Sequence, residues 1–88
     1  MKKLTLTKLI RQDAEWCRRS GIDVDYSESY GTVAILINGR TLAFLQDSEG
    51  YDFIDAARCL YNKSRHVTMD ECALHLARGY AECLDDVG

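Results

Sequence analysis

The dipeptide Asn38-Gly39 constrains the fold of this chain more than any other sequence feature. Both residues tolerate the positive φ angles of a type I′ turn, and β-rich runs at residues 32–37 and 40–45 flank them. The pattern predicts a β-hairpin with a two-residue loop, which fixes the register of the two strands. In that register one face carries three cross-strand pairs, Ile37 with Arg40, Ile35 with Leu42, and Val33 with Phe44. We expect this bulkier face to form the floor of the core, because each large apolar side chain buried there contributes roughly 1.5–3 kcal/mol.

A further strand is predicted just before the hairpin. Residues 22–26 alternate apolar and acidic side chains, which is typical of a half-buried strand with Asp23 and Asp25 in solvent. Paired beside residues 32–37, this strand completes a three-stranded antiparallel meander.

A first helix is predicted over residues 4–20, and Gly21 suits the left-handed position that follows its last turn. Asp13 lies within the apolar stripe of this helix, where an unpaired carboxylate would be costly. We therefore expect Asp13 to reach a backbone amide, an arginine or water at the edge of the stripe, and a catalytic or ligand-binding role is the alternative. The stripe consists of Leu6, Leu9, Ile10, Ala14, Trp16 and Cys17.

A second helix is predicted after the hairpin, with Asp47 or Ser48 as its N-cap and acidic residues in its first turns. Its apolar face comprises Phe53, Ile54, Ala56, Ala57, Leu60 and Tyr61.

A third helix, from Met69 to Leu84, is predicted because Thr68 and Glu71 have the spacing of a capping box. Its apolar stripe is unusually wide, so the helix is either wedged between other elements or shared with a second subunit, and we expect a homodimer as readily as a monomer. Gly79 would cost about 1 kcal/mol in a helix interior, which predicts a close backbone contact there. The stripe consists of Met69, Cys72, Ala73, Leu76, Ala77, Tyr80, Ala81 and Leu84.

Length and composition fit one small α+β domain, residues 1–88, of element order α-β-β-β-α-α with the meander packed by helices. The chain is 47% hydrophobic and 28% charged, which excludes the composition of disordered proteins. No apolar run approaches the roughly 20 residues that span a bilayer, and the first residues are too charged for a signal peptide. The four cysteines form no Cys-x-x-Cys pair, so we expect a cytoplasmic protein in which they are small buried hydrophobic residues.

Sequence motifs for chemistry are weak. Cys72 and His75 have a spacing that could supply two ligands to zinc, but the sequence offers no second pair. We expect His75 instead to contact Glu71, one turn earlier on the same helix. Neither a Gly-x-Ser-x-Gly elbow nor a glycine-rich phosphate loop occurs. We therefore expect no catalytic residues, no metal and no cofactor, and hence no enzyme.

Charge is distributed unevenly along the chain. The net charge is +4 over residues 1–21, −6 over residues 22–57 and −1 over the remainder, which together give −3. Spaced carboxylates can imitate backbone phosphates and steer association with a basic partner. The leading hypothesis is therefore a small non-catalytic interaction module that docks on a basic protein. The predicted docking residues are Asp23, Asp25, Glu28, Asp47, Glu49, Asp52 and Asp55.

Two resemblances extend this hypothesis. The order helix, three-strand meander, helix over residues 5–63 resembles the double-stranded-RNA-binding domain, which implies nucleic-acid binding as the alternative function. The basic surface would then lie on the first helix, at Lys2, Lys3, Lys8, Arg11, Arg18 and Arg19. Small size, acidity and the absence of chemical motifs also resemble phage proteins that inhibit host factors, including anti-CRISPR proteins. That resemblance implies an inhibitor of a host nucleic-acid-binding factor that acts through an acidic surface.

Overall fold

The computed structural model describes residues 5–87, and its element order confirms the predicted α-β-β-β-α-α fold. The elements are α1 (Leu6–Arg19), β1 (Ile22–Ser27), β2 (Thr32–Ile37), β3 (Arg40–Leu45), α2 (Asp47–Lys63) and α3 (Met69–Val87). α3 thus continues three residues beyond the predicted Leu84, whose side chain lies outside the described part, as do Lys2 and Lys3.

The three strands form one antiparallel sheet in the order β1-β2-β3, as predicted. All three helices pack on the same face of this sheet, because their buried residues share one core cluster with Ile22, Val33, Ile35 and Leu45. α3 packs against both α1 and α2 and lies between them, which confirms the wedged arrangement expected from its wide apolar stripe. The thinnest dimension of the molecule is 19 Å, as one layer of sheet and one of helix require.

The hairpin turn is confirmed, but the predicted register beyond it is wrong. Asn38 and Gly39 have φ angles of 49° and 81°, as a type I′ turn requires. Ile37 pairs with Arg40 as predicted, but the register then shifts by one residue between Leu36 and Ile35. A β-bulge in β3 produces this shift, because two residues there oppose one on β2. The observed partners beyond it are Ile35 with Ala43, Ala34 with Phe44, and Val33 with Leu45.

Because of the bulge, two large side chains lie on the opposite faces of the sheet from those predicted. Leu45, which the unshifted register would place outside, is 6% exposed and belongs to the core. Phe44, predicted to lie on the core floor, is 55% exposed on the face opposite the helices. This second face, which we call the open sheet face, carries Asp23, Asp25, Thr32, Ala34, Leu36, Thr41 and Phe44.

The core confirms most of the predicted apolar faces. Ile10, Ala14 and Cys17 of α1 are buried, but Leu9 is 38% exposed. On α3, Leu74 is buried although it lies outside the predicted stripe, because the helix has neighbours on both sides. On α2, Ala56 and Tyr61 are exposed, in contrast to the prediction.

Helix capping agrees with the sequence for α3 but not for α2. The Thr68 hydroxyl accepts the amide of Glu71 at 3.1 Å, and the Glu71 carboxylate accepts the amide of Thr68 at 2.9 Å. The capping box is therefore confirmed. The N-cap of α2 is Gln46, whose side chain makes no capping hydrogen bond, so the predicted cap at Asp47 or Ser48 is wrong.

Replacing Thr68 with Ala should lower the free energy of unfolding by about 1 kcal/mol, because the amide of Glu71 loses its acceptor. Ser48→Ala is the matched control, since Ser48 provides no cap and its loss should change stability by less than about 0.5 kcal/mol. Urea unfolding followed by circular dichroism measures both. Equal effects of the two changes would contradict the capping assignment.

The two glycines inside helices have opposite surroundings. A Cβ on Gly50 of α2 would lie 1.8 Å from the carbonyl oxygen of Gly31, so α2 rests directly on the β1–β2 turn. A Cβ on Gly79 of α3 would meet no atom within 4 Å. The close backbone contact predicted at Gly79 is therefore wrong for the described part of the chain, whereas Gly50 has such a contact.

No helix within residues 5–87 is long and apolar enough to cross a membrane.

Candidate interaction surface

Four of the seven predicted acidic residues lie together on α2. Glu49, Asp52 and Asp55 follow one another at three-residue spacing, so each lies about 5–6 Å from the next along the helix surface. Together with Asp47 they are exposed, and none of them forms an ion pair with another described residue. We call this group the α2 acidic surface.

The other three predicted acids lie elsewhere. Asp23 and Asp25 are exposed on the open sheet face, on the opposite side of the molecule from the helical layer. The carboxylate of Asp23 also accepts the amide of Val24 at 2.8 Å, at the outer edge of the sheet. Glu28 forms an ion pair with Arg58 of α2. The structure therefore separates the seven residues into two exposed groups and one neutralised carboxylate.

A groove between α2 and α3 borders the α2 acidic surface. It has a volume of about 350 Å³. Its rim carries Glu49 and Asp52, and Leu76 and Tyr80 line it from α3. Tyr80 is 40% exposed, and its ring lies 6.3 Å from that of buried Phe53 at the base of the groove. An apolar groove with a negatively charged rim is suited to a ligand that is both apolar and cationic.

The basic residues of α1 are all exposed, but two of them have neighbours within the chain. The guanidinium group of Arg11 donates a hydrogen bond to the carbonyl of His66. Arg18 lines a hollow of about 310 Å³ together with two acidic residues, Asp23 and Asp70. Lys8 and Arg19 face solvent without an ion pair among the described residues. A continuous basic surface on α1 is thus interrupted by acidic and backbone neighbours.

Asp13 reaches an arginine, as one of the sequence alternatives predicted. Its side chain is 14% exposed, and its two oxygens contact Arg78 at 2.7 Å and Nδ1 of His75 at 2.5 Å. Arg78 also bonds Glu82 at 2.8 Å, and its guanidinium group lies 4.5 Å from the centre of the Trp16 ring. These contacts join α1 to α3. The predicted contact of His75 with Glu71 is therefore replaced by the pair with Asp13.

The cysteines differ from one another in burial. Cys17 and Cys72 are buried as predicted, whereas Cys59 and Cys83 are exposed, and all four are free thiols. Burial, with the nearby charge of Asp13, raises the pKa of the Cys17 thiol to about 11. The thiol is therefore protonated at neutral pH, and it donates to the carbonyl of Leu74 at 3.3 Å. Within the described residues no three His, Cys, Asp or Glu side chains converge to hold a metal ion.

Sequence reasoning identified the α2 acids but missed the groove beside them. The available signal was the width of the α3 stripe, whose Leu76 and Tyr80 face α2 without being fully covered by it.

Comparison of the chain with models of protein families, with curated proteins and with solved structures found no significant match.

Proposed function

We propose that this protein is a non-catalytic interaction module that binds a basic protein surface through the α2 acidic surface. The observation that carries the proposal is the group of four exposed carboxylates on one helix, three of them at three-residue spacing, without an ion pair among residues 5–87. Carboxylates held this way on a helix keep their hydration and their full charge until a partner arrives. They attract a cationic surface over a distance of about a Debye length.

The partner class that fits this surface is a nucleic-acid-binding protein. Such proteins present clustered Lys and Arg side chains that neutralise backbone phosphates. A row of carboxylates at regular spacing competes for the same cations, so the module would inhibit its partner by occupying the phosphate-binding surface. Binding should weaken as salt concentration rises, because the attraction between exposed charges is screened.

We place this activity in the cytoplasm. The support is the presence of four free thiols, of which Cys59 and Cys83 are exposed. Exposed thiols persist in a reducing compartment and oxidise outside it.

Charge reversal in pairs tests the surface. The tagged protein is used to capture partners from cell lysate, with and without nuclease, and bound proteins are identified by mass spectrometry. We expect partners that survive nuclease treatment and are lost in Asp52→Lys/Asp55→Lys. Asp23→Lys/Asp25→Lys is the matched control, since it reverses the charge of two exposed acidic residues on the open sheet face.

Two results would overturn the proposal. The first is capture that depends on nucleic acid and is abolished by Arg11→Glu/Arg18→Glu, which would assign function to the basic residues of α1. The second is loss of partners only in the Asp23 and Asp25 control, which would move the interface to the open sheet face.

A further inference from the structure

Gly79 has a conformational cost that no described contact of the chain explains. It lies inside α3, where Gly is less favourable than Ala by about 1 kcal/mol. Its backbone is exposed, and the space where a Cβ would stand is open to at least 4 Å. Because glycine has no side chain, another backbone can approach α3 closely at this position.

Gly79 also lies beside the α2–α3 groove. Leu76 and Tyr80 line both this groove and a second, shallower hollow of about 180 Å³, whose other walls are Gly79 and Cys83. The groove and this hollow therefore adjoin each other on α3, because they share Leu76 and Tyr80. Glu49 and Asp52 of α2 form the acidic rim of the groove.

We propose that the α2–α3 groove binds an amphipathic, positively charged helix of the partner, which passes directly over Gly79. A large apolar side chain of this helix fits between Leu76 and Tyr80, and its Lys or Arg residues pair with Glu49 and Asp52. A helix suits the groove better than an extended strand, because the groove contains no sheet edge to pair with and a helix satisfies its own backbone. The positive charge that we assign to this helix rests on the proposed function, in which the partner is basic.

Two synthetic peptides of about 18 residues serve as probes, long enough to form a helix on the protein. Both contain the same numbers of Leu and Lys. In the first, Leu recurs at i, i+3, i+4 and i+7 to form one apolar stripe, and in the second the order is scrambled. Fluorescence anisotropy measures their binding to the full chain. We expect the amphipathic peptide to bind at least about 10-fold more tightly than the scrambled one, a difference of about 1.4 kcal/mol.

Variants then locate the binding. Gly79→Gln places a side chain in the hollow that adjoins the groove, on the proposed path of the peptide, and should weaken binding of the amphipathic peptide at least about 10-fold, with no change for the scrambled peptide. Ser48→Gln adds the same side chain on α2 outside the groove and should leave both affinities unchanged. Gln is a better helix former than Gly, so thermal unfolding should show Gly79→Gln at least as stable as the wild type.

The possible outcomes separate the two proposals. If both peptides bind equally, or Gly79→Gln has no effect, while Asp52→Lys/Asp55→Lys abolishes binding, the groove proposal fails and the α2 acidic surface stands. If Asp52→Lys/Asp55→Lys also has no effect, or if the amphipathic peptide does not bind, the result contradicts both the groove and the α2 acidic surface as binding sites for cationic segments. A concentration-dependent dimer in sedimentation, lost in Gly79→Gln, would assign the groove to a second copy of the chain and overturn the proposal.

Discussion

Replacing Gly50 with Ala should lower the free energy of unfolding by about 3 kcal/mol or more, the upper range for overpacking a core. The added methyl group would lie 1.8 Å from the carbonyl oxygen of Gly31, and that oxygen belongs to the backbone of a tight turn. The turn cannot withdraw by a side-chain rotation, so α2 must move away from the sheet. Chemical denaturation of the purified variant measures the loss.

Gly79→Ala is the matched control, because the same substitution is made inside a helix where the space is open. It should raise the free energy of unfolding by up to about 1 kcal/mol through helix propensity alone. We therefore expect Gly50→Ala to lower the free energy of unfolding and Gly79→Ala to raise it. If Gly50→Ala is neutral or stabilising, α2 does not rest on the Gly31 turn as described.

Replacing Ile35 with Ala should cost about 3 kcal/mol, because this side chain is completely buried at the centre of the sheet and its loss leaves a cavity. Phe44→Ala should cost less than about 1 kcal/mol, although more atoms are removed, because Phe44 is 55% exposed on the open sheet face. Thermal and urea unfolding of both variants measure the difference.

The comparison tests the β-bulge directly. Without the bulge, Phe44 would share the core floor with Ile35, and its truncation would cost about 3–5 kcal/mol. If Phe44→Ala lowers the free energy of unfolding by that amount, Phe44 lies in the core and the hairpin has the unshifted register. This result would contradict the observed pairing of Val33 with Leu45.

Features that depend on a few neighbouring residues could be predicted from the sequence. The turn at Asn38-Gly39 follows from the φ angles that these two residues tolerate, and Gly21 ends α1 in the left-handed conformation, at a φ of 79°. The capping box of Thr68 and Glu71 follows from their spacing. Each of these conformations depends on residues only a few positions apart, so the rest of the fold does not decide it.

Features that depend on distant elements could not be predicted, because they arise from the packing of the helices and the sheet. The bulge in β3 determines whether Phe44 or Leu45 lies under the helices, and no local signal distinguishes two large apolar neighbours. Asp13 finds Arg78 and His75 because α3 packs beside α1, more than 60 residues later in the chain.

The acidic residues show the same division between local and tertiary information. Their number and exposure could be read from the sequence, since charged side chains on strand exteriors and in first helical turns remain in water. Their separation into two groups could not be. The sheet is one layer with helices on one face only, so Asp23 and Asp25 project to one side of the molecule and the α2 acidic surface to the other. That separation depends on which face of the sheet the helices cover, and tertiary packing alone decides it.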